Sequence, residues 1–352
     1  MGRERRRIQE TLTSSYDRKV APLNNLITDV DGVSVGNAKD ARLASGVTAI
    51  IFERPAVASI AIHGGAPGVR DTALLEPEMT VEAVDALVLA GGSAFGLDAM
   101  GGVQSVLREH GRGFALRDVR VPIVPGAIIF DLLNGGDKSW GRQPPYWELG
   151  HAAARAAAQI FALGTAGAGF GATTANLKGG LGSASSVASA GFRIGALVAV
   201  NAVGQATIGD GPHFWAAPFE RDSEFGGLGL PSPWPSAALA MRIKGDRPQN
   251  STIAVIATDA ALTKAQAKRL AVMANNGFAL SLRPTHGALD GDVVFAAATA
   301  RNPNAPTMRD LTEIGMLAAD TLARAVARAV HGASALPFPG ALPAWRDRFA
   351  RS

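Results

Sequence analysis

The sequence predicts a mixed α/β protein in which helices cover packed sheets. Short apolar, β-branched runs alternate with longer segments of helical character along most of the 352 residues. Hydrophobic residues make up 47% of the chain and charged residues 18%, a balance typical of compact globular proteins. The 41 glycines indicate many tight turns and close backbone approaches. Together these observations favour layers of helix and sheet around a large core.

The individual elements follow from local composition and capping signals. Strands are predicted for the runs with β-branched or apolar character, at residues 47–52, 58–62, 86–90, 194–200, 252–258 and 292–299. Helices are predicted at about 93–109, 152–163 and 308–331. A further helix begins after Thr263, which forms a capping box with Gln266, and is expected to end at Asn276-Gly277.

Composition excludes several classes of protein. The net charge of +4, from 34 basic and 30 acidic residues, is too balanced to indicate a nucleic-acid partner. The absence of cysteine excludes disulfides, thiolate zinc sites and a cysteine nucleophile. The six histidines lack metal-ligand spacing, and no phosphate-binding or dinucleotide motif is present, so no metal and no cofactor are expected.

The N-terminal segment is distinguished by its polar, basic composition. Residues 1–22 contain a basic cluster and are predicted to form a flexible N-terminal arm before a single domain at 23–352. The arm lacks the apolar core of a signal peptide, and no apolar run reaches the roughly 18 residues of a membrane span. We therefore expect a cytoplasmic protein with no membrane partner.

Ser251 stands where an irregular polar segment meets a predicted buried strand. Residues 212–250 are rich in Pro, Trp, Gly and Ser, and a long segment of this kind needs a functional reason. A linker that is cleaved and partly released is one such reason. Cleavage between Asn250 and Ser251 would leave a free α-amine beside the serine hydroxyl, so that one residue supplies both nucleophile and base. This suggests a hydrolase with an N-terminal nucleophile.

Four other residues are candidates for supporting Ser251. Asp290 and Asp292 flank a glycine just before a predicted strand, where they would orient the amine and shift each other's pKa; a simple turn is the alternative. Asn201 ends a strand and could donate to an oxyanion, although asparagine is also common in turns. Lys178, in a glycine-rich segment, would lower the amine pKa if it lies nearby, and is otherwise a surface lysine.

A second serine keeps a different hydrolase class open. The run Gly92-Ser93-Ala94-Phe95-Gly96 is similar to a nucleophile elbow, but Phe95 stands where the motif requires glycine. His63-Gly64-Gly65 is similar to part of a lipase oxyanion loop. An α/β-hydrolase with Ser93 as its nucleophile is therefore an alternative, and the simplest interpretation of Ser93 is a helix N-cap.

The motifs taken together resemble one family over residues 23–330. The chain is similar to the P1 peptidase family, which includes DmpA-type L-aminopeptidase/D-esterases, β-aminopeptidases and endo-type 6-aminohexanoate-oligomer (nylon-oligomer) hydrolases. Eight short segments occur in the family's order: residues 27–36, 64–72, 89–97, 124–131, 178–185, 200–201, 250–259 and 290–292.

The resemblance implies a four-layer α/β/β/α sandwich of the N-terminal-nucleophile-hydrolase type. It implies self-cleavage between Asn250 and Ser251, giving an α chain of residues 1–250 and a β chain of residues 251–352 that assemble into oligomers, often tetramers of the αβ unit. By position, Ser251 is the nucleophile, Asn201 contributes to the oxyanion hole, and Lys178, Asp290 and Asp292 support the amine.

Two departures bear on activity and substrate. By the resemblance, Phe130 occupies the position of an oxyanion-hole tyrosine, so one donor is missing or is replaced by water or a backbone amide. With Ser93 and Phe95, Phe130 is a candidate for the substrate pocket. The Asp-Gly-Asp motif is that of the nylon-oligomer enzymes, whereas the serine nucleophile is that of the aminopeptidases. We expect an aminopeptidase for small peptides and amides. The alternatives are a 6-aminohexanoate-oligomer hydrolase and an uncleaved, impaired homologue with a binding role.

Overall fold

A computed structural model describes residues 23–245 and 250–349. The predicted basic arm at 1–22 lies outside the described residues. Eleven strands occur in the described part: β1 Val33–Asp40, β2 Ser45–Ile62, β3 Val69–Arg70, β4 Ala83–Ala90, β5 Phe114–Leu116, β6 Val119–Val121, β7 Gly126–Ile128, β8 Gly180–Val187, β9 Arg193–Asn201, β10 Ser251–Thr258 and β11 Val293–Ala298. The α-helices in the same ranges are α1 Ala99–Glu109, α2 Tyr146–Arg155, α3 Lys264–Ala274, α4 Asn276–Ser281, α5 Met308–His331 and α6 Trp345–Phe349.

Nine strands form one continuous sheet, and β5 and β6 form a separate hairpin. The order is β3-β7-β4-β2-β11-β10-β9-β8, with β1 pairing with β2. Strand β2 is 18 residues long and its pairing with β4 shifts register between Ile51 and Ala56, a bulge-like irregularity. Residues 45–52 of β2 pair with β1, residues 57–62 pair with β11, and β4 pairs with residues 47–51 and 56–57, so β2 joins the two sheet layers.

Three large hydrophobic cores lie between four layers, and a small fourth cluster forms around Ala44, Phe170 and Leu336. Along β10, Ile253 and Val255 face a central core between the sheet layers, whereas Ala254 and Ile256 face the core beneath α3, α4 and α5. Helices α1 and α2 cover a third core on the far side of β2 and β4. This alternation follows from the two-residue period of a strand buried on both faces. The predicted four-layer α/β/β/α sandwich is thereby confirmed.

Several predicted boundaries were wrong. The runs at 47–52 and 58–62 are parts of the single strand β2. The helix expected at 152–163 lies at Tyr146–Arg155, and the one expected at 93–109 opens with a 3₁₀ helix, Ser93–Asp98. Asn276-Gly277 does not end a helix, because it opens α4. The capping box of Thr263 and Gln266 and the helix at Met308–His331 are confirmed.

The segment after residue 212 is irregular, as predicted, but it is not a loose linker. Its only regular element among the described residues is a 3₁₀ helix at Ala217–Phe219. Phe214 and Phe225 are buried in the core beneath α5, and their rings pack edge to face at 5.4 Å. The expectation of a releasable linker is therefore wrong through at least Phe225. Residues 246–249 lie outside the described residues.

Within the described ranges, no helix is long and apolar enough to cross a bilayer. The same residues contain no cluster of three or more His, Cys, Asp or Glu side chains suited to a metal ion.

Candidate active site

The candidate site forms where β10 begins, between β9 and β11. Ser251 pairs with Asn201 at the end of antiparallel β9. On the other side β10 runs parallel to β11, and Asn250 forms an isolated bridge with Asp290 in the loop that leads into β11. The sheet topology therefore brings the predicted nucleophile, the predicted oxyanion residue and the Asp-Gly-Asp motif to one edge of the sheet.

The Ser251 hydroxyl contacts the carbonyl of the peptide bond that precedes it. Oγ donates a hydrogen bond of 2.6 Å to the Asn250 carbonyl oxygen. The Gly291 amide donates to the same oxygen at 2.8 Å. A side chain at position 291 would collide with Ser251 Oγ, so only glycine lets the loop approach this closely. The carbonyl is thus polarised by a backbone N–H beside the hydroxyl.

Asp292 is a fully hydrogen-bonded carboxylate. One oxygen accepts from the Thr252 amide at 2.7 Å. The other accepts from Thr285 Oγ1, from the His286 amide and from His286 Nδ1, each at 3.0 Å. Asp292 therefore anchors the start of β10 to the loop before β11.

Asp290 has the opposite environment. One carboxyl oxygen accepts from the Gly287 amide at 3.0 Å. The other is buried and has no hydrogen-bond partner among the described residues. Burial, and next the neighbouring Asp292 charge, raise the pKa of Asp290 to about 7, against the opposing influence of Gly287, Lys244 and His286. Asp290 can therefore gain or lose a proton near neutral pH, which suits a general acid or base.

The amide of Asn201 is held in one orientation. Its Oδ1 accepts from the Thr173 amide at 3.1 Å and from Lys244 Nζ at 3.0 Å. Its Nδ2 donates to the Phe130 carbonyl oxygen at 3.0 Å. Two donors on one atom and an acceptor on the other define which end is oxygen and which is nitrogen. One N–H of Nδ2 stays available as an oxyanion donor.

Lys178 is buried, but it does not reach Ser251 through any described contact. Its Nζ donates to the carbonyl oxygens of Gly169, Ala172 and Gly179 at 2.8–3.0 Å. Burial lowers the pKa of Lys178 to about 7, while three carbonyl acceptors match the three N–H donors of the ammonium form. The side chain therefore ties together the glycine-rich loop; the alternative of a surface lysine is wrong.

Lys244 is a site residue that sequence reasoning missed. It lies in the irregular segment, where no pattern distinguishes it from a solvated lysine. Together with Thr173, Lys178 and several apolar side chains it lines a cavity of about 210 Å³. Desolvation lowers the pKa of Lys244 to about 7, while the charges of Asp290 and Asp131 act in the opposite direction.

Of the three predicted pocket residues, Phe130 joins the site through its backbone. Its carbonyl receives the Asn201 amide, as described above. Ser93 is the first residue of its 3₁₀ helix, with a positive φ of 52°, and its amide donates to the Ile129 carbonyl. Ser93 therefore lies inside the helix, and the predicted N-cap role is wrong. Phe95 is half exposed and packs edge to face on Trp140 at 5.3 Å. No described contact joins Ser93 or Phe95 to Ser251.

A buried acid beside Phe130 was also missed. Asp131 accepts from Ser45 Oγ at 2.6 Å and from the Gly92 amide at 2.7 Å, and Tyr146 donates to the same serine hydroxyl at 3.1 Å. Burial raises the pKa of Asp131 above its usual value. The Tyr146 hydroxyl thus orients the Ser45 hydroxyl, which in turn binds the Asp131 carboxyl.

Comparison with known proteins places this architecture in a family. Residues 25–340 match the profile of peptidase family S58. An uncharacterised aminopeptidase of Mycobacterium tuberculosis is 43% identical over 347 residues, covering 92% of this chain and 98% of that protein. A 6-aminohexanoate-oligomer endohydrolase of Paenarthrobacter ureafaciens is 27% identical over 281 residues, covering 77% of this chain and 74% of that protein.

A solved structure agrees with the fold. The L-aminopeptidase D-Ala-esterase/amidase of Ochrobactrum anthropi, described as a variant of the Ntn-hydrolase fold, superposes with a TM-score of 0.69 at 24% identity, covering 94% of this chain and 93% of that one. The four layers and this likeness define the fold, an α/β/β/α sandwich like that of the Ochrobactrum enzyme. The chain belongs to peptidase family S58, and it is accordingly a hydrolase that acts on peptide bonds.

Proposed function

We propose that this protein is a self-processing amide hydrolase that cuts its own chain between Asn250 and Ser251 and then uses Ser251 as an N-terminal nucleophile. The observation that carries the proposal is the contact of Ser251 Oγ with the Asn250 carbonyl oxygen at 2.6 Å, on a carbonyl already held by the Gly291 amide. The hydroxyl thus lies against the peptide group that an intramolecular acyl shift would break, and the Gly291 amide polarises the carbonyl of that group.

In the first stage Ser251 Oγ attacks the Asn250 carbonyl carbon and loses its proton to Asp290, the acid–base group that we assign to this step. The Gly291 N–H stabilises the oxyanion. The C–N bond then breaks, and the departing Ser251 nitrogen takes up a proton, leaving Asn250 joined to Oγ as an ester. Water hydrolyses this ester, which produces the Asn250 carboxylate and a Ser251 that carries both a hydroxyl and a free α-amine.

In the second stage the freed Ser251 acts on a substrate amide. Its α-amine, with an ordinary pKa of roughly 7.7–8.0, takes the hydroxyl proton as Oγ attacks the substrate carbonyl. The free N–H of Asn201 Nδ2 donates to the oxyanion, and the amine returns the proton to the leaving nitrogen. Water then releases the acyl group from Oγ. Asp292 holds the Thr252 amide, which keeps the new chain end at the start of β10.

Small peptides and amides with a free amino end are the substrate class that we assign. The support is the aminopeptidase name carried by a relative that is 43% identical along nearly the whole chain. A second candidate is hydrolysis of linear 6-aminohexanoate oligomers. The Asp290-Gly291-Asp292 motif and the relative that acts on such oligomers favour it. Hydrolysis rates with L-alanyl, β-alanyl and 6-aminohexanoyl amides separate the two.

Ser251→Ala tests both stages, because it removes the one hydroxyl that they share. We expect the variant to remain a single 36.2 kDa chain, whereas the wild type separates into chains of residues 1–250 and 251–352 on a denaturing gel and by intact mass. Thr252→Val is a matched control, since the Thr252 hydroxyl is buried without a hydrogen-bond partner among the described residues and its loss leaves cleavage intact.

Two outcomes would overturn the proposal. Cleavage of Ser251→Ala at the same bond would mean that another group attacks Asn250. A wild-type protein that stays uncut and inactive on all three amides would instead favour a homologue with a binding role.

A further inference from the structure

Lys244 is the only described side chain of the irregular segment after Phe225 that bonds to Asn201. Its Nζ donates to Asn201 Oδ1 at 3.0 Å, and its backbone amide donates to the Val203 carbonyl at 2.9 Å. The backbone bond fixes the position of Lys244 next to the end of β9 independently of its side chain. Lys244 precedes the cut, so it remains on the α chain.

The Lys244 bond constrains the Asn201 side chain in a way that the other contacts do not. The Thr173 amide also donates to Oδ1, but the Nδ2 group has only the Phe130 carbonyl as an acceptor among the described residues. Without Lys244 the side-chain amide keeps one contact at each end instead of three contacts in all, so it can tilt about the line between Thr173 and Phe130. Because oxyanion stabilisation depends on donor placement to a fraction of an ångström, a tilt of this kind is costly.

The Lys244 side chain is directed at Asn201. Among the described residues, Asn201 Oδ1 is the hydrogen-bond acceptor of Lys244 Nζ. The same side chain lines a cavity together with Thr173, whose amide is the other donor to that oxygen. Lys244 and Thr173 therefore hold the oxygen end of the Asn201 amide together.

We propose that Lys244 is a positioning residue of the reaction, which holds the Asn201 amide with Nδ2 toward the oxyanion. The inference rests on the proposed function, since it assigns Lys244 a part in the same site. It also gives a role to the contact between Lys244 and the end of β9.

Three variants separate hydrogen bonding from charge. Lys244→Met removes both, Lys244→Gln keeps a side-chain donor without a charge, and Lys244→Arg keeps both. Lys264→Met is the matched control, because the Nζ of Lys264 also donates to protein oxygens, the carbonyls of Leu74 and Met79, away from Ser251. The rate of self-cleavage, and kcat and KM of the cut enzyme on L-alanyl p-nitroanilide, are measured between pH 5 and 9.

For Lys244→Met we expect kcat on the substrate to fall about 100-fold with little change in KM, because the Asn201 donor is misplaced. Self-cleavage should stay close to the wild-type rate, because the Gly291 amide rather than Asn201 serves that step. Lys244→Gln and Lys244→Arg, which keep a side-chain donor, should recover much of kcat. Lys264→Met should leave both rates unchanged.

A double-mutant cycle with Asn201→Ala tests whether Lys244 acts through Asn201. If it does, adding Lys244→Met to Asn201→Ala lowers kcat at high pH far less than it does in the wild type. Additive losses would overturn the positioning role, and so would a Lys244→Gln variant whose kcat is no higher than that of Lys244→Met. Failure of the proposed function is distinct, because the wild type itself would then neither cleave nor hydrolyse.

Discussion

The two sides of Ser251 are built in different ways. On the β11 side, one short loop supplies Gly291, Asp290 and Asp292, and backbone amides of the same loop satisfy several of their oxygens. On the β9 side, Asn201 is held by Phe130, Thr173 and Lys244, which come from segments far apart in the sequence.

This difference indicates that the two sides of Ser251 serve different parts of the chemistry. The loop side brings a carbonyl-polarising amide and a titrating acid to the bond that we propose is cut. The β9 side prepares a single amide donor with cations around it. A rigid local loop suits proton transfer, which requires short and fixed distances. An assembled site suits oxyanion stabilisation, because its donor is set before any charge develops.

Gly291→Ala should break the loop side completely. The added methyl would collide with Ser251 Oγ and come within 3.0 Å of the Ala66 carbonyl oxygen, so either the hydroxyl or the loop must move. Because both the nucleophile and the amide donor are displaced, we expect self-cleavage to slow by about 1,000-fold or more. The measurement is the fraction of cut chain against time on a denaturing gel.

A glycine elsewhere provides the control for that experiment. Gly211 has its nearest neighbour, the Ile208 carbonyl oxygen, 3.5 Å from an added methyl, which is ordinary contact. Gly211→Ala should therefore cleave at the wild-type rate. Rapid cleavage of Gly291→Ala would show that the loop does not need to approach Ser251 closely, and would remove the basis for assigning Gly291 as a donor.

Asp290→Asn separates the charge of the loop side from its geometry. The amide keeps the shape of the side chain but cannot accept a proton, so we expect cleavage to slow by about 100-fold and to lose its dependence on a group titrating near pH 7. Asp292→Asn provides the comparison. It leaves Asp290 able to titrate, so the pH dependence should persist even if the rate falls.

The pH dependence of thermal stability tests the ionisation of Asp290 independently of activity. The pKa of Asp290 is raised in the folded protein, so its contribution to stability is present at low pH and is lost as the pH rises through about 7. In the uncut Ser251→Ala background, Asp290→Asn should therefore raise the melting temperature at pH 8 more than at pH 5. An equal change at both pH values would mean that Asp290 does not carry the buried charge.

The contrast between the two sides also explains what the sequence could predict. Ser251, Asp290 and Asp292 could be identified because each lies at the boundary of a β-branched run, and strand ends that pair in a sheet meet at one edge. Lys244 could not be identified, because its role depends on a contact with Asn201, which is 43 positions away in the sequence, and no periodic pattern links the two residues. The sequence predicted two strands where the single long strand β2 lies. The polar residues 53–54 and Pro55 interrupt the apolar pattern of β2 at the register shift.

Phe130→Tyr tests the β9 side with the smallest expected effect. Phe130 contributes its backbone carbonyl, which a tyrosine keeps, so the orientation of Asn201 should not change. If the Asn201 amide, fixed by three contacts, is a sufficient donor, the added hydroxyl should change kcat by no more than about threefold, far below the 100-fold or more typical of a required oxyanion donor. A large increase in kcat would show instead that the site lacks a donor, and that the β9 side is incomplete without a hydroxyl at position 130.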